Sequence, residues 1–250
     1  MVADLQKADV WKRVAAWLLD IMLFCLLVVG VGALLSLTLD YDGKLQRYES
    51  RYNGYIEQYA LQDADLNAPA NEEEQQRIEQ AGEAMYKDTE LMGLRTLVTN
   101  LMLIIATFSV LVSVLVLEFA VPLILKNGQT VGKKVFSLGV VRVDSVQLGA
   151  FQLFVRAVLG KFTVEIMLPA YAVVLGLFGG MPLAAVIIIG GLGVGQIICI
   201  AATKYNCALH DQMSGTAVVD IASQRVFKSS AELLEYTKRI HAEEARRKEY

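Results

Sequence analysis

Three polar side chains recur at about one depth within long apolar stretches, and chemistry in this chain would have to start from them. Asp20 lies six residues in from Val14, Glu118 seven residues back from Leu125, and Gln196 seven residues back from Thr203. At 1.5 Å of rise per residue, each sits roughly 10 Å from the same end of its segment. A carboxylate in hydrocarbon costs about 2.5 to 3.5 kcal/mol even on insertion-based scales, so Asp20 and Glu118 need a partner or water. Two readings follow. The acids form a protonatable pair or monovalent-cation site, or they pin helices in register through hydrogen bonds to Arg13, Gln196 or backbone. Arg13 stands seven residues before Asp20, and His210-Asp211 follows the last apolar run closely. Glu165 lies nearer the inner surface and is expected to reach the interface beside Lys161. The outer halves of the apolar segments offer only Ser36, Thr38, Asn100 and Thr107.

Other chemistries find less material. Cys25, Cys199 and Cys207 form no even framework, and with His210 and His241 the only histidines a zinc or iron centre is not expected. Gly128-Gln129-Thr130-Val131-Gly132-Lys133-Lys134 has three residues between its glycines where a phosphate loop needs four, and no Ser or Thr follows its lysine. No nucleophile triad or glycosidase-like carboxylate pair stands outside the apolar segments, so neither an enzyme nor a cofactor is expected. Lys133 and Arg142 lack interleaved aromatics and suit lipid headgroups rather than nucleic acid.

The elements that position these residues are set by lipid. The chain has 250 residues, 55% of them hydrophobic, and a mean hydropathy of +0.44. Its apolar residues come in unbroken blocks rather than stripes. A bilayer core of about 30 Å needs roughly 20 such residues. Four stretches qualify, at about 14–39, 97–125, 162–178 and 182–203, the last two joined by a Gly179-Gly180-Met181-Pro182 turn. The N-terminus is too polar, and the run after it too long, for a cleaved signal peptide. Gly191 and Gly195 have the spacing of close helix packing. No internal repeat is present.

Lys12, Arg13, Lys126, Lys133, Lys134, Arg142, Arg156, Lys161 and Lys204 all fall at one side of a four-span arrangement, which the positive-inside rule makes cytoplasmic, with both termini there. The other side holds the acidic segment 40–95, with Glu72-Glu73-Glu74 at its centre and a polar helix expected over Glu72 to Glu90. On the inner side Val135 to Val143 and Thr216 to Ile221 read as short strands that pair with each other. Leu148 to Lys161 has the spacing of an amphipathic interfacial helix, and Ser229-Ser230 could cap a charged tail helix. The fold class is therefore an all-α membrane protein. It comprises a bundle of about four transmembrane helices, a small cytoplasmic two-stranded element and an interfacial amphipathic helix. Residues 1–222 form the transmembrane domain, and 223–250 the charged tail.

Three patches resemble the RDD family of membrane proteins, named for one arginine and two aspartates. They are Trp11-Lys12-Arg13 through Asp20, Asn127 through Lys134 followed by Val140-Val141-Arg142-Val143-Asp144, and Leu209-His210-Asp211 through Val219. The resemblance makes Arg13, Asp20 and Asp211 the eponymous residues and implies a membrane domain suspected in transport, with some relatives described as sodium/proton antiporters. It does not extend over 40–95 or beyond Ile221.

Two functions stand against each other. One is a transporter exchanging a monovalent cation for protons, with Asp20 and Glu118 as its site and Arg13 and Asp211 as an inner gate. The other is a scaffold in the inner (plasma) membrane that binds a protein partner, or a second copy of itself, through its outer segment and tail. Arg13, Asp20 and Asp211 are expected to form one charge-assisted network, since a guanidinium carries enough donors for two carboxylates.

Overall fold

The computed structural model describes residues 5–66 and 68–248. Their order is α1 (Val10–Thr38), α2 (Tyr41–Gln58), α3 (Glu72–Lys87), α4 (Thr89–Leu125), α5 (Val131–Val135), β1 (Leu138–Arg142), α6 (Ala150–Phe178), α7 (Pro182–Ala202), α8 (Leu209–Ser214), β2 (Thr216–Asp220) and α9 (Ser230–Lys248). Helices α1, α4, α6 and α7 are long and apolar enough to cross a bilayer. Leu26, Ile124, Phe178, Val186 and Ile197 stand exposed on them. A surface that leaves such side chains outside suits lipid rather than water. The expected spans are all present, and three begin or end beyond the apolar residues because helical hydrogen bonding continues through polar flanks.

The chain forms two compact units. One contains the described residues up to Leu27 together with those from Val110 onward; the other is Val28–Ser109. In the second unit the polar helix expected over Glu72 to Glu90 stops at Lys87, because Asp88 leaves helical geometry to start α4. Its Oδ1 accepts the N–H groups of Glu90 and Leu91 at 3.0 and 3.1 Å. The same carboxylate takes two hydrogen bonds from Arg51, at 2.6 and 3.0 Å, and one from the Tyr55 hydroxyl at 3.0 Å. Arg51 thereby holds the Asp88 carboxyl well below the usual carboxylate range. Leu61, Ala81 and Leu91 are the buried apolar residues beside this junction.

In the first unit the two strands pair antiparallel, Leu138 with Asp220 through Arg142 with Thr216. Each edge of this ribbon is covered. The Val140 N–H donates to the Asn127 carbonyl at 3.1 Å on one side, and Lys7 bridges Val219 on the other. Covering both edges satisfies backbone groups that would otherwise stay open. Residues before α1, between α4 and α6, and after α7 thus meet in one structure, which puts both ends of the four-helix segment on one side. The strands are buried on both faces, Val141, Ala217 and Val219 packing with Leu5 and Cys207 on one, and Leu138, Val140 and Val218 with Ala8 and Ala16 on the other.

Two expectations need adjustment. The amphipathic segment Leu148 to Lys161 does form a helix, but it runs without a break into the third span, so α6 is one helix from Ala150 to Phe178. Within it Val155–Met167 is wound with i→i+5 hydrogen bonds, as is Leu115–Ala120 in α4. The glycines of α7 do not pack as their spacing suggested: a Cβ at Gly190, Gly191, Gly193 or Gly195 would meet nothing within 4 Å. The tail helix α9 starts as expected, with Ser229 Oγ accepting the Glu232 N–H at 3.2 Å while the Glu232 carboxylate takes the Lys228 N–H at 2.7 Å.

The register can be checked by cross-linking. Val140 turns its N–H away from β2, so Val140 and Val218 face each other as a close, non-hydrogen-bonded pair. With the native cysteines replaced by serine, Val140→Cys with Val218→Cys should oxidise readily to a disulfide, and Val140→Cys with Ala217→Cys should not. The reverse result in a gel-shift assay would move the register.

Candidate functional site

Asp20 sits two turns and more into α1, where lipid should surround it, and its partners come from the short helix α5. The Gly132 N–H donates to Asp20 Oδ1 at 2.8 Å and the Thr130 hydroxyl to Oδ2 at 2.5 Å. Thr130 is the residue before α5, its own Oγ1 accepting from the Lys133 N–H at 3.4 Å, so one hydroxyl starts the helix and ties it to α1. Lys133 adds its ammonium 3.7 Å from Asp20 Oδ2. Gly132 is what allows the approach, since a Cβ there would press on the Ala16 carbonyl and stand 2.9 Å from the Asp20 carboxylate. The segment 128–134, inadequate as a phosphate loop, is thus the receptor for an aspartate.

Glu118, in the i→i+5 stretch of α4, pairs with Lys161 of α6. Asp211 is 1% exposed and is held by Arg156, also of α6, with Nη1 2.9 Å from Oδ1. The Ala208 N–H donates to its Oδ2 at 3.2 Å, and the Thr216 hydroxyl to Oδ1 at 3.2 Å. Burial pushes the Asp211 carboxyl up, but Arg156 beside it and the Ala208 N–H outweigh that and bring it down to about 2. His210, next in line, places Nδ1 2.8 Å from Glu165 Oε1 and Nε2 3.0 Å from Arg156 Nη2. Gly160 makes room for this contact, because a Cβ on it would come 2.6 Å from the Cβ of His210. Gln196 accepts the Leu209 N–H at 3.0 Å and so fixes the start of α8. Lys133 is enclosed by the cluster. Burial lowers its pKa, opposed by Glu118 and then reinforced by Lys161 and Arg156.

The arrangement differs from the expected network of Arg13, Asp20 and Asp211. Those three do not meet. Arg13 Nη2 donates instead to the Asn206 carbonyl at 2.9 Å, and among the described residues it forms no ion pair with either aspartate. The cause is directional: side chains on a helix lean toward its N-terminus, so Arg13 points away from Asp20, which lies almost two turns further on. Asp211 is taken by Arg156 and Asp20 by α5. Glu165 does not run to the interface beside Lys161 but turns to His210.

Arg156, Lys161, Thr130, Gly132 and Lys133 are the members that sequence reasoning did not place in the cluster. For α6 the missing signal is the winding. Arg156 and Glu165 are nine residues apart, about two and a half turns of an α-helix and so opposite faces. Bonds that close at i+5 widen the turn by roughly one residue and bring the same nine residues to about two turns. Arg156, Lys161 and Glu165 consequently share the face that meets α4 and α8. Among the described residues no three His, Cys, Asp or Glu side chains converge as a metal site. What the cluster offers instead is four carboxylates and the basic side chains of Lys133, Arg156 and Lys161, each acid with a basic neighbour.

Three measurements test this geometry. Arg156→Ala should cost about 3 to 5 kcal/mol in detergent unfolding because it strands a buried carboxylate, and Arg156→Met with Asp211→Leu should cost much less. The Asp211 carboxyl is depressed in the folded state, so its stabilisation is complete above the ordinary value of 3.8 and is lost as pH falls toward about 2. Asp211→Asn should flatten that part of the stability curve. Gly132→Ala should destabilise by roughly 1 to 3 kcal/mol through overpacking against α1; a neutral result would remove the close approach from the argument.

Comparison with curated proteins and with solved structures finds no match. The family model described as RDD family matches residues 7–215, a range that takes in Arg13, Asp20, the α5 segment, α6 and Asp211 and runs across segment 40–95. With more than half of the chain matched and four helices able to cross a bilayer, the chain belongs to the RDD family of membrane proteins.

Proposed function

We propose that this protein is a transporter exchanging a monovalent cation for protons, with Asp20 as the carboxylate that holds the cation and Glu118 as the second acid. The observation that carries the reading is the Asp20 site. A carboxylate and the Thr130 hydroxyl gather at the depth of the inner leaflet, and the ammonium of Lys133, a monovalent cation on a tether, stands 3.7 Å away. The hydrogen bond of the ammonium is to the Thr130 hydroxyl at 3.1 Å, and its separation from the carboxylate is loose for an ion pair, which leaves the lysine displaceable by a free cation of like charge. Glu118 also faces a tethered ammonium, that of Lys161, in direct contact. Oxygen donors of this kind suit hard monovalent ions rather than thiophilic metals. In this reading the chain acts without a cofactor and without enzymatic turnover. Its basic side, where both ends of the span segment lie, is the cytoplasmic face of the plasma membrane.

A second reading, an anchor or scaffold, draws on a different observation: every buried acid of the cluster already has a basic neighbour. Paired charges can serve specificity of fold alone. The partner-binding parts would then be α2 and α3 outside and the charged helix α9 inside, with a protein or a second copy as occupant.

Purified chain in proteoliposomes separates the two. A sodium or potassium gradient should drive a counter-movement of protons, read by an entrapped pH dye, and Asp20→Asn, whose remaining oxygen can still accept the Gly132 N–H, should stay folded yet lose at least about nine-tenths of the flux, a tenfold effect equal to ~1.4 kcal/mol on the transport barrier. Absence of flux with sodium, potassium and lithium would favour the scaffold. Orientation is tested in a cysteine-free background with Glu73→Cys, which should react with an impermeant maleimide in intact cells.

A further inference from the structure

The four-group chain Glu165, His210, Arg156 and Asp211 has a donor pattern that leaves only one assignment for its imidazole. A guanidinium can only donate, so His210 Nε2, 3.0 Å from Arg156 Nη2, must accept with its lone pair. The ring proton then sits on Nδ1 and donates to Glu165 Oε1 at 2.8 Å. His210 is neutral in this arrangement. Two carboxylates and one guanidinium surround it, so the group is one positive charge short. Asp211 Oδ1 is an acceptor 3.7 Å from Nε2. Arg156 Nη1 lies 2.9 Å from that same oxygen, yet it does not aim an N–H at any acceptor.

We propose that His210 is a proton-binding site whose protonation exchanges the partners of Asp211, the new Nε2–H taking Asp211 Oδ1 while Arg156 withdraws from the imidazole. A proton from the aqueous side forms the Nε2–H bond and uses the lone pair that Arg156 Nη2 had. Two cations then face each other at hydrogen-bond distance, which repulsion does not permit. Asp211 Oδ1, which accepts the Thr216 hydroxyl at 3.2 Å, keeps a second lone pair for the incoming N–H, since Arg156 holds it by charge without an aligned bond. The charge of the four groups rises from minus one to zero, and Nδ1–H keeps Glu165 throughout. Because Arg156 and Glu165 belong to α6 whereas His210 and Asp211 belong to α8, the exchange resets the contact between these two helices.

The groups facing His210 are Arg156, Lys161 and Glu165 from α6 and Asp211 from α8 itself. Burial, then the two cations against the two acids, leaves the imidazole below the ordinary histidine range. The neutral form therefore prevails at neutral pH and the charged one is reached on acidification. This site stands apart from transport: a chain that moves no ions can still bind this proton, and the readout is the state of the ring rather than flux.

The test is nitrogen-15 NMR of ring-labelled histidine in nanodiscs, with His241→Gln so that His210 is the sole histidine. Near neutral pH the ring should report the neutral Nδ1–H tautomer. On acidification it should become imidazolium while the dipolar contact from Nε2 to Arg156 is lost and that to the Asp211 carboxyl carbon grows. Glu165→Gln keeps an acceptor for Nδ1–H but removes its charge, and should lower the midpoint by about one pH unit. An Nε2–H tautomer at neutral pH would overturn the proposal. So would a midpoint unmoved by Glu165→Gln, or protonation with both contacts unchanged.

Discussion

A carboxylate held inside a helix that faces lipid has to be met by something brought to it, and the answer here is a piece of backbone. The hydrogen bonds from Gly132 and Thr130 to Asp20 fix α5 against α1, and the structure around the strand pair follows from that placement. The Phe136 N–H returns to the Gly132 carbonyl, so the position of α5 sets where β1 begins. Strand β1 then sets β2, β2 follows directly on α8, and α8 carries His210 and Asp211 to α6. A single misplacement at α5 would propagate through each of these steps. The absence of a side chain at position 132 is the steric condition for all of them.

The charges of the cluster are better understood as a means of choosing one arrangement than as a source of stability. Taking ions out of water costs several kcal/mol each, and pairing them returns about that much. A wrong pairing returns less. With Asp20 assigned to Lys133, Glu118 to Lys161, Asp211 to Arg156 and Glu165 to His210, any slip of α6 along its axis would leave acids without bases at several places together. The glycines of α7 make the opposite case, since among the described residues nothing stands within 4 Å of a Cβ placed on Gly190, Gly191, Gly193 or Gly195.

Length and hydropathy made the spans readable because the bilayer imposes one thickness on all of them. The strands were readable because Val140-Val141 and Val218-Val219 are β-branched residues next to loop signals, and their pairing followed from the cost of open backbone beside a membrane. Asp20, Glu118 and Gln196 each find a partner in the part of the structure built by α5, α6 and α8. Partner choice was not readable. Arg13 and Asp20 share a helical face in any wheel diagram, yet the backward lean of helical side chains separates them. Arg156 and Glu165 belong to opposite faces of an ideal helix and were brought together only by the wider turn of Val155–Met167. Neither the lean nor the winding leaves a signature in residue spacing. Thr130 and Gly132 were recognised as a motif, but their target is 110 residues away in the chain, beyond what any local pattern encodes.

That separation sets a timetable for biosynthesis. Ribosomes add about 5 to 20 residues each second, so roughly 6 to 20 seconds pass between the emergence of Asp20 and that of the loop that binds it. Throughout this interval the first helix is complete and its aspartate has only water or its own backbone to turn to. The helix has reason to stay shallow, or to slide, until α5 arrives. Lys7 waits longer still, because its strand partner is Val219, made after the last span. The first of the four spans to be made is therefore among the last to be seated, because its partners are made after the others.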